Sequence, residues 1–419
     1  MARQTPRLRG RSGFDRLFAL LPTTTVPPPI RPTRITAYTA TSAVGVGKAP
    51  MLAAVAASRS GLRPNDFGPE PLPTWIGRVD GLEAPLPASL ARWDCRNNRL
   101  AWLGLNADGF LDAAADARRR FGAARVAVVV GTSTSSIGAT EDAYRVLDAD
   151  GRFPAALRST LLHTPHSLAN FVQDALALEG PCLTVSTACS SSAKAFAVAE
   201  RMLRLNVIDA AVVGGADTLC GSVLFGFNAL QLVSPEPCQP FDVNRRGINL
   251  GEAAGFALLE RGGGALQLIG HGESSDAHHM STPHPEGLGA ARALADALAR
   301  AGIAPDAVDH VNLHGTASRK NDEVEAALVA RRFGPQVHAS STKGFTGHTL
   351  GSAGIVEAAF SLLAIETGLV PGTVNSETLD ASCGPQIRLQ PARREVRVAL
   401  SNSFGFGGTN CVLVFARGE

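Results

Sequence analysis

The chain reads as an α/β protein made of two closely joined, similar halves, and three features of the sequence predict it. Short apolar, β-branched runs that suit buried strands alternate with stretches of helical apolar spacing, as at 183–186 and then Ala193, Phe196, Ala197, Met202 and Leu203. The pattern is given twice. A strand followed by Gly-Thr-Ser at 131–133 is matched by one followed by His-Gly-Thr at 314–316, and Thr-Ala-Cys-Ser-Ser-Ser at 187–192 by Phe-Thr-Gly-His-Thr-Leu-Gly-Ser at 345–352. Finally, 419 residues with 45% hydrophobic content exceed one ordinary domain and can fill a large core. The two halves are expected at 34–264 and 265–419.

The elements follow in order. Residues 1–34 hold seven Arg against one acid, with Pro-Pro-Pro at 27–29, so 1–33 is expected to be a disordered or loosely attached extension. Its apolar run at 17–21 is too short for the core of a signal peptide. A first strand is expected at 34–43 and a small-residue helix at 51–58, then irregular Pro-rich sequence to residue 90. The segment Cys-Arg-Asn-Asn-Arg-Leu-Ala-Trp-Leu from Cys95 opens a helix that sets Arg96 and Arg99 on one side, in the plain reading a solvated face. Buried strands follow at 126–130, 183–186 and 209–215, a surface loop at 240–247, and strand patterns at 251–260 and 265–270. Two further strand ends carry His314 and His348, the second opening a small-residue helix that runs on to Glu357.

Composition narrows the function. A formal net charge of +2, with basic residues dispersed, gives no reason to expect a nucleic-acid partner. Seven Cys, an odd number without CxxC spacing, fit the reducing cytoplasm and argue against a disulfide framework or a zinc site. No apolar stretch approaches the roughly 20 residues that span a bilayer. His271, His278, His279 and His284 are loosely spaced and lack a Cys or carboxylate pattern, so no metal is expected.

What remains is a thiol and two imidazoles, each presented where a strand runs out. Cys189 lies at the mouth of a helix, where unpaired N–H groups and the dipole are expected to lower a thiol pKa; the competing reading is an inert core cysteine. Three matching presentations in one chain favour nucleophilic acyl chemistry.

The motifs Ser-Thr-Ala-Cys-Ser-Ser-Ser at 186–192, His-Gly-Thr at 314–316, Lys-Gly-Phe-Thr-Gly-His at 343–348 and Ser-Asn-Ser-Phe-Gly-Phe-Gly-Gly-Thr-Asn at 401–410 resemble those of the β-ketoacyl-acyl carrier protein synthases, across about residues 33–416. The resemblance implies a thiolase-like fold, a five-layered α-β-α-β-α stack, and decarboxylative condensation of a Cys-bound acyl group with malonyl-acyl carrier protein. In that scheme Cys189 carries the acyl group and His314 and His348 hold the enolate oxygen. The N–H groups of Cys189 and Phe406 form a second oxyanion hole, on a loop that Gly405, Gly407 and Gly408 keep close and mobile. Lys343, one of four lysines, organises the site electrostatically, and Glu357 joins it, with Asn312, Ser401 and Asn402 completing a structural monovalent-cation site of some members. Thr316 and Ser318 meet the phosphopantetheine arm, which arrives on the carrier protein, and Phe404 and Gly407 border the substrate; no cofactor is implied. Arg96 and Arg99 stand where family members dock the acidic carrier, with Arg245 and Arg246 the next pair. A dimer is implied, with itself or with a ketosynthase-like chain.

The match has departures. Ser318 replaces a usual Thr, keeping the hydroxyl and losing the methyl, and Ile248 stands where an aromatic is common. Residues 75–82 and 94–99 are similar to synthases of aryl-polyene or xanthomonadin-type pigment clusters. A non-catalytic chain-length factor would lack the nucleophile, and a degradative thiolase would have a second Cys near Phe404–Phe406. An initiating synthase would pair Cys with His and Asn.

Overall fold

The computed structural model describes residues 28–69 and 71–418. Most of the expected N-terminal extension, 1–27, lies outside the described residues. Within 28–32, the Ile30 N–H donates to the Arg300 carbonyl at 2.8 Å, just before the first strand begins at Thr33.

Two mixed sheets carry the architecture. The first contains β1 (Thr33–Ser42), β2 (Gly45–Val46), β5 (Val126–Gly131), β6 (Cys182–Val185), β7 (Ala210–Asp217) and β9 (Ala253–Arg261), in the order β2-β1-β9-β7-β5-β6. The second contains β10 (Leu266–Ser275), β11 (His310–Leu313), β12 (His338–Ser341), β15 (Val398–Gly405) and β16 (Thr409–Arg417), in the order β10-β16-β15-β11-β12. Smaller sheets join β3 (Arg63–Pro64), β4 (Trp75–Gly77) and β8 (Leu250–Gly251), and β13 (Leu369–Val370) with β14 (Ala392–Arg393).

Without β2, the strands of each half, ranked along the chain, stack in the same order, first-fifth-fourth-second-third. The first two pairings of that order are antiparallel and the last two parallel in both sheets. The duplication suspected from the turns is thus a duplication of topology.

Helices complete five layers. Between the sheets lie α6 (Ser191–Arg204) and α11 (Ala353–Thr367), whose apolar sides join both sheets in one core through Phe196, Leu203, Ile355, Phe360 and Phe415. Outside the first sheet pack α2 (Arg96–Leu105), α3 (Phe110–Phe121) and α5 (Ser167–Ala175); outside the second pack α8 (Leu288–Ala301) and α9 (Arg319–Arg332). Smaller helices are α1 (Lys48–Ala56), α4 (Ile137–Arg145), α7 (Gly221–Ala229) and α10 (Lys343–Thr346). α11 is apolar on all sides because it is covered on all sides. Among the described residues, Leu350–Thr367 alone is long and apolar enough to cross a membrane, yet 89% of it is buried as this central helix.

The central helices approach closely because glycine permits it. A Cβ at Gly354, on α11, would lie 2.6 Å from the Ala193 N on α6, and one at Gly131, closing β5, only 2.2 Å from the Ser192 N. This contact brings the starts of the two helices, and the turns before them, to the same place.

Candidate functional site

Each central helix is preceded by a turn that presents one reactive side chain. Between β6 and α6 the chain bends sharply at Ala188, whose φ of 51° is unusual for a residue with a side chain. Ser191 pins the bend: its Oγ accepts from the Thr187 N–H at 2.9 Å and donates to the Ala188 carbonyl at 2.5 Å. Cys189 sits on this bend, only 4% exposed. His348 lies on the turn before α11, and main-chain bonds pin it. Its N–H donates to the Asn249 carbonyl at 2.7 Å, and its own carbonyl accepts from Gly251 at 3.0 Å. His314 follows β11, its N–H and that of Gly315 each donating to the Glu325 carboxylate at 2.8 Å.

The three side chains converge. His348 Nε2 is 3.0 Å from Cys189 Sγ, and the His314 and His348 rings meet edge to face with centroids 5.4 Å apart. One donor atom from each of the three falls within 4.8 Å of the others. They close the bottom of a cavity of about 510 Å³, bordered by Thr316, Ser318, Phe404, Phe406 and Gly407 and narrowed by the stacked rings of Phe227 and Phe406, 5.5 Å apart. Thr316 Oγ1 and Ser318 Oγ lie 3.0 Å apart on its wall.

Lys343 stands behind the histidines, buried, its Nζ donating to the His314 carbonyl at 2.8 Å and paired with Glu357. Burial holds both imidazoles well below the usual histidine range, and the Lys343 charge adds to the effect. Both are therefore neutral at physiological pH. Burial pushes Glu357 up to about 7, Lys343 drawing it back.

The thiol departs from expectation. Burial pushes Cys189 up to about 11, although Lys343 and the N–H groups of Phe406 and Cys189 itself pull the other way. Helix-terminus logic alone predicts a lowered value; desolvation of the anion outweighs it here. The thiol is protonated at rest, and its proton faces a neutral imidazole.

The two arginines are placed elsewhere. Arg96 clamps Glu252, whose side chain is wholly buried, at 2.5 and 3.1 Å. Arg99 grips Asp94 at 2.8 and 2.5 Å and the carbonyls of Leu82 and Glu83. Both border a second cavity, apart from Cys189. Of the reserve pair, Arg245 is 2% exposed and held by Asp322 and Asp380, while Arg246 is exposed at the mouth of the Cys189 cavity beside Arg319 and Lys320. His271, on β10, pairs with Glu200 rather than with the loop histidines.

Two acids escaped the sequence reading. Glu325 and Asp322 accept the main-chain N–H groups of 314–316, and Asn402 Nδ2 also donates to Glu325 at 3.0 Å. The spacing Asn321-Asp322-x-x-Glu325, at the start of a helix right after His-Gly-Thr, was the available signal.

This chain matches the beta-ketoacyl synthase N-terminal domain over residues 99–265 and the beta-ketoacyl synthase C-terminal domain over 267–377. It is 36% identical over 306 residues to nodulation protein E of Rhizobium meliloti, covering 70% of this chain and 76% of that protein. It is 34% identical over 317 residues to 3-oxoacyl-[acyl-carrier-protein] synthase 2 of Coxiella burnetii, again 70% and 76%. Its fold superposes with a TM-score of 0.84, at 34% identity, on the ketosynthase solved in complex with its chain length factor from Xenorhabdus doucetiae, covering 93% of this chain and 98% of that one.

Proposed function

The chain belongs to the β-ketoacyl synthase family, and from that premise we propose that it elongates an acyl group held on Cys189 with a malonyl unit delivered by an acyl carrier protein. Family membership makes it a condensing acyltransferase of the fatty-acid and polyketide type. The observation that carries the residue roles is the contact of Cys189 Sγ with His348 Nε2 at 3.0 Å beside His314, in a site where both imidazoles are neutral.

The chemistry follows from that geometry. Cys189 attacks the incoming thioester carbonyl, and because its thiol starts protonated, the proton moves toward His348 as the S–C bond forms. The tetrahedral oxyanion is held by the N–H groups of Cys189 and Phe406, the two that already favour negative charge on Sγ. The phosphopantetheine sulfur leaves as a thiol, taking that proton back from His348 and leaving the ring neutral. A malonyl thioester then loses CO₂, and its enolate oxygen is held by N–H groups of His314 and His348, which as neutral rings donate without repelling Lys343. The enolate carbon attacks the acyl-Cys carbonyl and the thiolate departs. Glu357 Oε2, Ser401 Oγ and Asn402 Oδ1 are buried without hydrogen-bond partners, hard oxygens that with Asn312 suit a structural monovalent cation.

Carrier docking falls to Arg246, Arg319 and Lys320 at the cavity mouth, with the phosphopantetheine arm passing Thr316 and Ser318. A second ketosynthase-fold chain covers the free edge of β6, where Leu183 is exposed, the same half also exposing Ile137 and Tyr144 on α4 and Phe225 on α7; a solved relative is bound to its chain length factor. The aryl-polyene or xanthomonadin-type branch is the finer assignment, on the resemblance of 75–82 and 94–99. A cytoplasmic location is supported by seven cysteines that are all free.

Intact mass spectrometry after incubation with saturated and aromatic acyl-carrier thioesters tests the reading. An acyl adduct that vanishes in Cys189→Ala is expected. An adduct surviving that substitution would remove Cys189 from the mechanism.

A further inference from the structure

One buried carboxylate is not used by the chemistry above. Asp217 ends β7 with no exposure, and a single oxygen, Oδ1, takes four uncharged donors: Thr132 Oγ1 and the Ser133 N–H at 2.8 Å, and the N–H and Oγ1 of Thr134 at 2.6 Å. Its other oxygen, Oδ2, has no hydrogen-bond partner. Burying a carboxylate on neutral donors alone is costly, so its position calls for a local explanation.

The explanation lies on the far side of Oδ2. A Cβ at Gly351 would sit 2.9 Å from Asp217 Oδ2 and 2.7 Å from the Ser133 N. Gly351 is three residues past His348, in a turn that also bends at Leu350 with φ 57°. The carboxylate and the 132–134 loop therefore form the seat on which the His348 turn rests. The other half repeats the device: Glu325 accepts the N–H groups of His314 and Gly315, as Asp217 accepts those of Ser133 and Thr134. Each polar loop that follows the second strand of a half is thus gathered on one buried acid.

We infer that Asp217 is a positioning residue for His348: by holding the 132–134 loop against Gly351 it fixes the turn that sets Nε2 on Cys189 Sγ. The inference rests on the part given above to His348. Asp217 touches no reacting atom and acts only through that ring.

A double-mutant cycle between Asp217→Ala and His348→Ala tests it, read as kcat and KM for malonyl-carrier decarboxylation alongside the thermal midpoint of each protein. Asp217→Ala is expected to lower kcat by on the order of tenfold to a hundredfold, as a misplaced catalytic group does, with KM changed by less than about twofold. In the His348→Ala background the same substitution should have no further effect. Asp217→Asn keeps an oxygen for both main-chain N–H groups and should restore most of the rate, while Gly351→Ala, which crowds the seat from the other side, should reproduce the loss. Equal losses in both backgrounds, or a loss that only tracks the folded fraction, would overturn the inference. Wild-type decarboxylation by His348→Ala alone would instead overturn the role of His348, and the inference with it.

Discussion

Replacing Arg96 by Ala separates a docking residue from a structural one. Glu252 is wholly buried, and its partners are Arg96, at 2.5 and 3.1 Å, and the N–H groups of Val79 and Leu219 at 2.9 and 3.1 Å. Without Arg96 the carboxylate keeps two main-chain donors and no counter-charge. Breaking a buried ion pair from one side costs about 3–5 kcal/mol. Arg96 is 24% exposed, so water can enter the space it leaves, and we expect about 2–3 kcal/mol here. For a chain of this length, with an unfolding entropy of roughly 0.9 kcal/mol/K, that is a fall of about 2–3 °C in Tm by calorimetry or a dye-based melt. Adding Glu252→Gln should recover part of it by removing the stranded charge. The Arg319→Ala/Lys320→Ala variant is the contrast: both residues are exposed, so stability should hold within about 0.5 kcal/mol and Tm should stay essentially unchanged. Its KM for carrier-bound thioesters should rise, its salt dependence flatten, and its KM for free pantetheine thioesters stay put. If Arg96→Ala kept the wild-type Tm and raised only the carrier-dependent KM, docking would belong to Arg96 and the burial argument would be wrong.

Three further outcomes are expected. Alkylation of Cys189 by iodoacetamide should rise about tenfold per pH unit from neutrality toward the thiol value of about 11, with no histidine inflection between pH 5 and 8 and only a shallow break near 7 where Glu357 ionises; Lys343→Met, which removes the cation favouring thiolate, should move the profile to higher pH. A plateau below pH 8 would mean a standing thiolate. His314→Ala and His348→Ala should each lower malonyl decarboxylation by about a hundredfold or more, measured as CO₂ release, whereas only His348→Ala should also slow acylation of Cys189. Gly354→Ala should cost about 1–3 kcal/mol in denaturant unfolding, since its Cβ meets Ala193 N at 2.6 Å and Cβ at 2.8 Å.

The residues the sequence exposes best are those whose reason is local. Cys189, His314 and His348 each stand in a turn of small residues at a strand end, and Lys343 shares a motif with His348, so their types and spacing speak without a fold. Asp217 and Glu325 speak less plainly: the donors to Asp217 come from 83–85 residues away with nothing beside it to mark it as a clamp, and Glu325, 10–11 residues from its donors, is signalled only by its place at the start of the helix after His-Gly-Thr. Arg96 and Arg99 show the opposite limit. Their spacing correctly places them on one side of a helix, but what that side faces is Glu252, 156 residues distant, together with Asp94. The thiol is the sharpest case. A helix terminus is readable from sequence, complete burial is not, and burial decides the sign.

Why nucleophile and imidazole meet at all is a property of the duplication. Cys189 follows the third strand of the first half, β6, and His348 the third strand of the second, β12; each leads into one of the two central helices, α6 and α11. Second strands end likewise at the 132–134 loop and at His314, and fourth strands at Asp217 and at the Phe406 loop. No local spacing could bring residues 159 positions apart to 3.0 Å, but two copies of one topology packed through their central helices do so at once. The site therefore exists only where the halves touch. The contact between Gly354 and Ala193 sets the offset between α6 and α11, and with it the distance from Sγ to Nε2. A substitution that slides those helices should act on condensation as directly as one at His348, even though it leaves every reacting group in place.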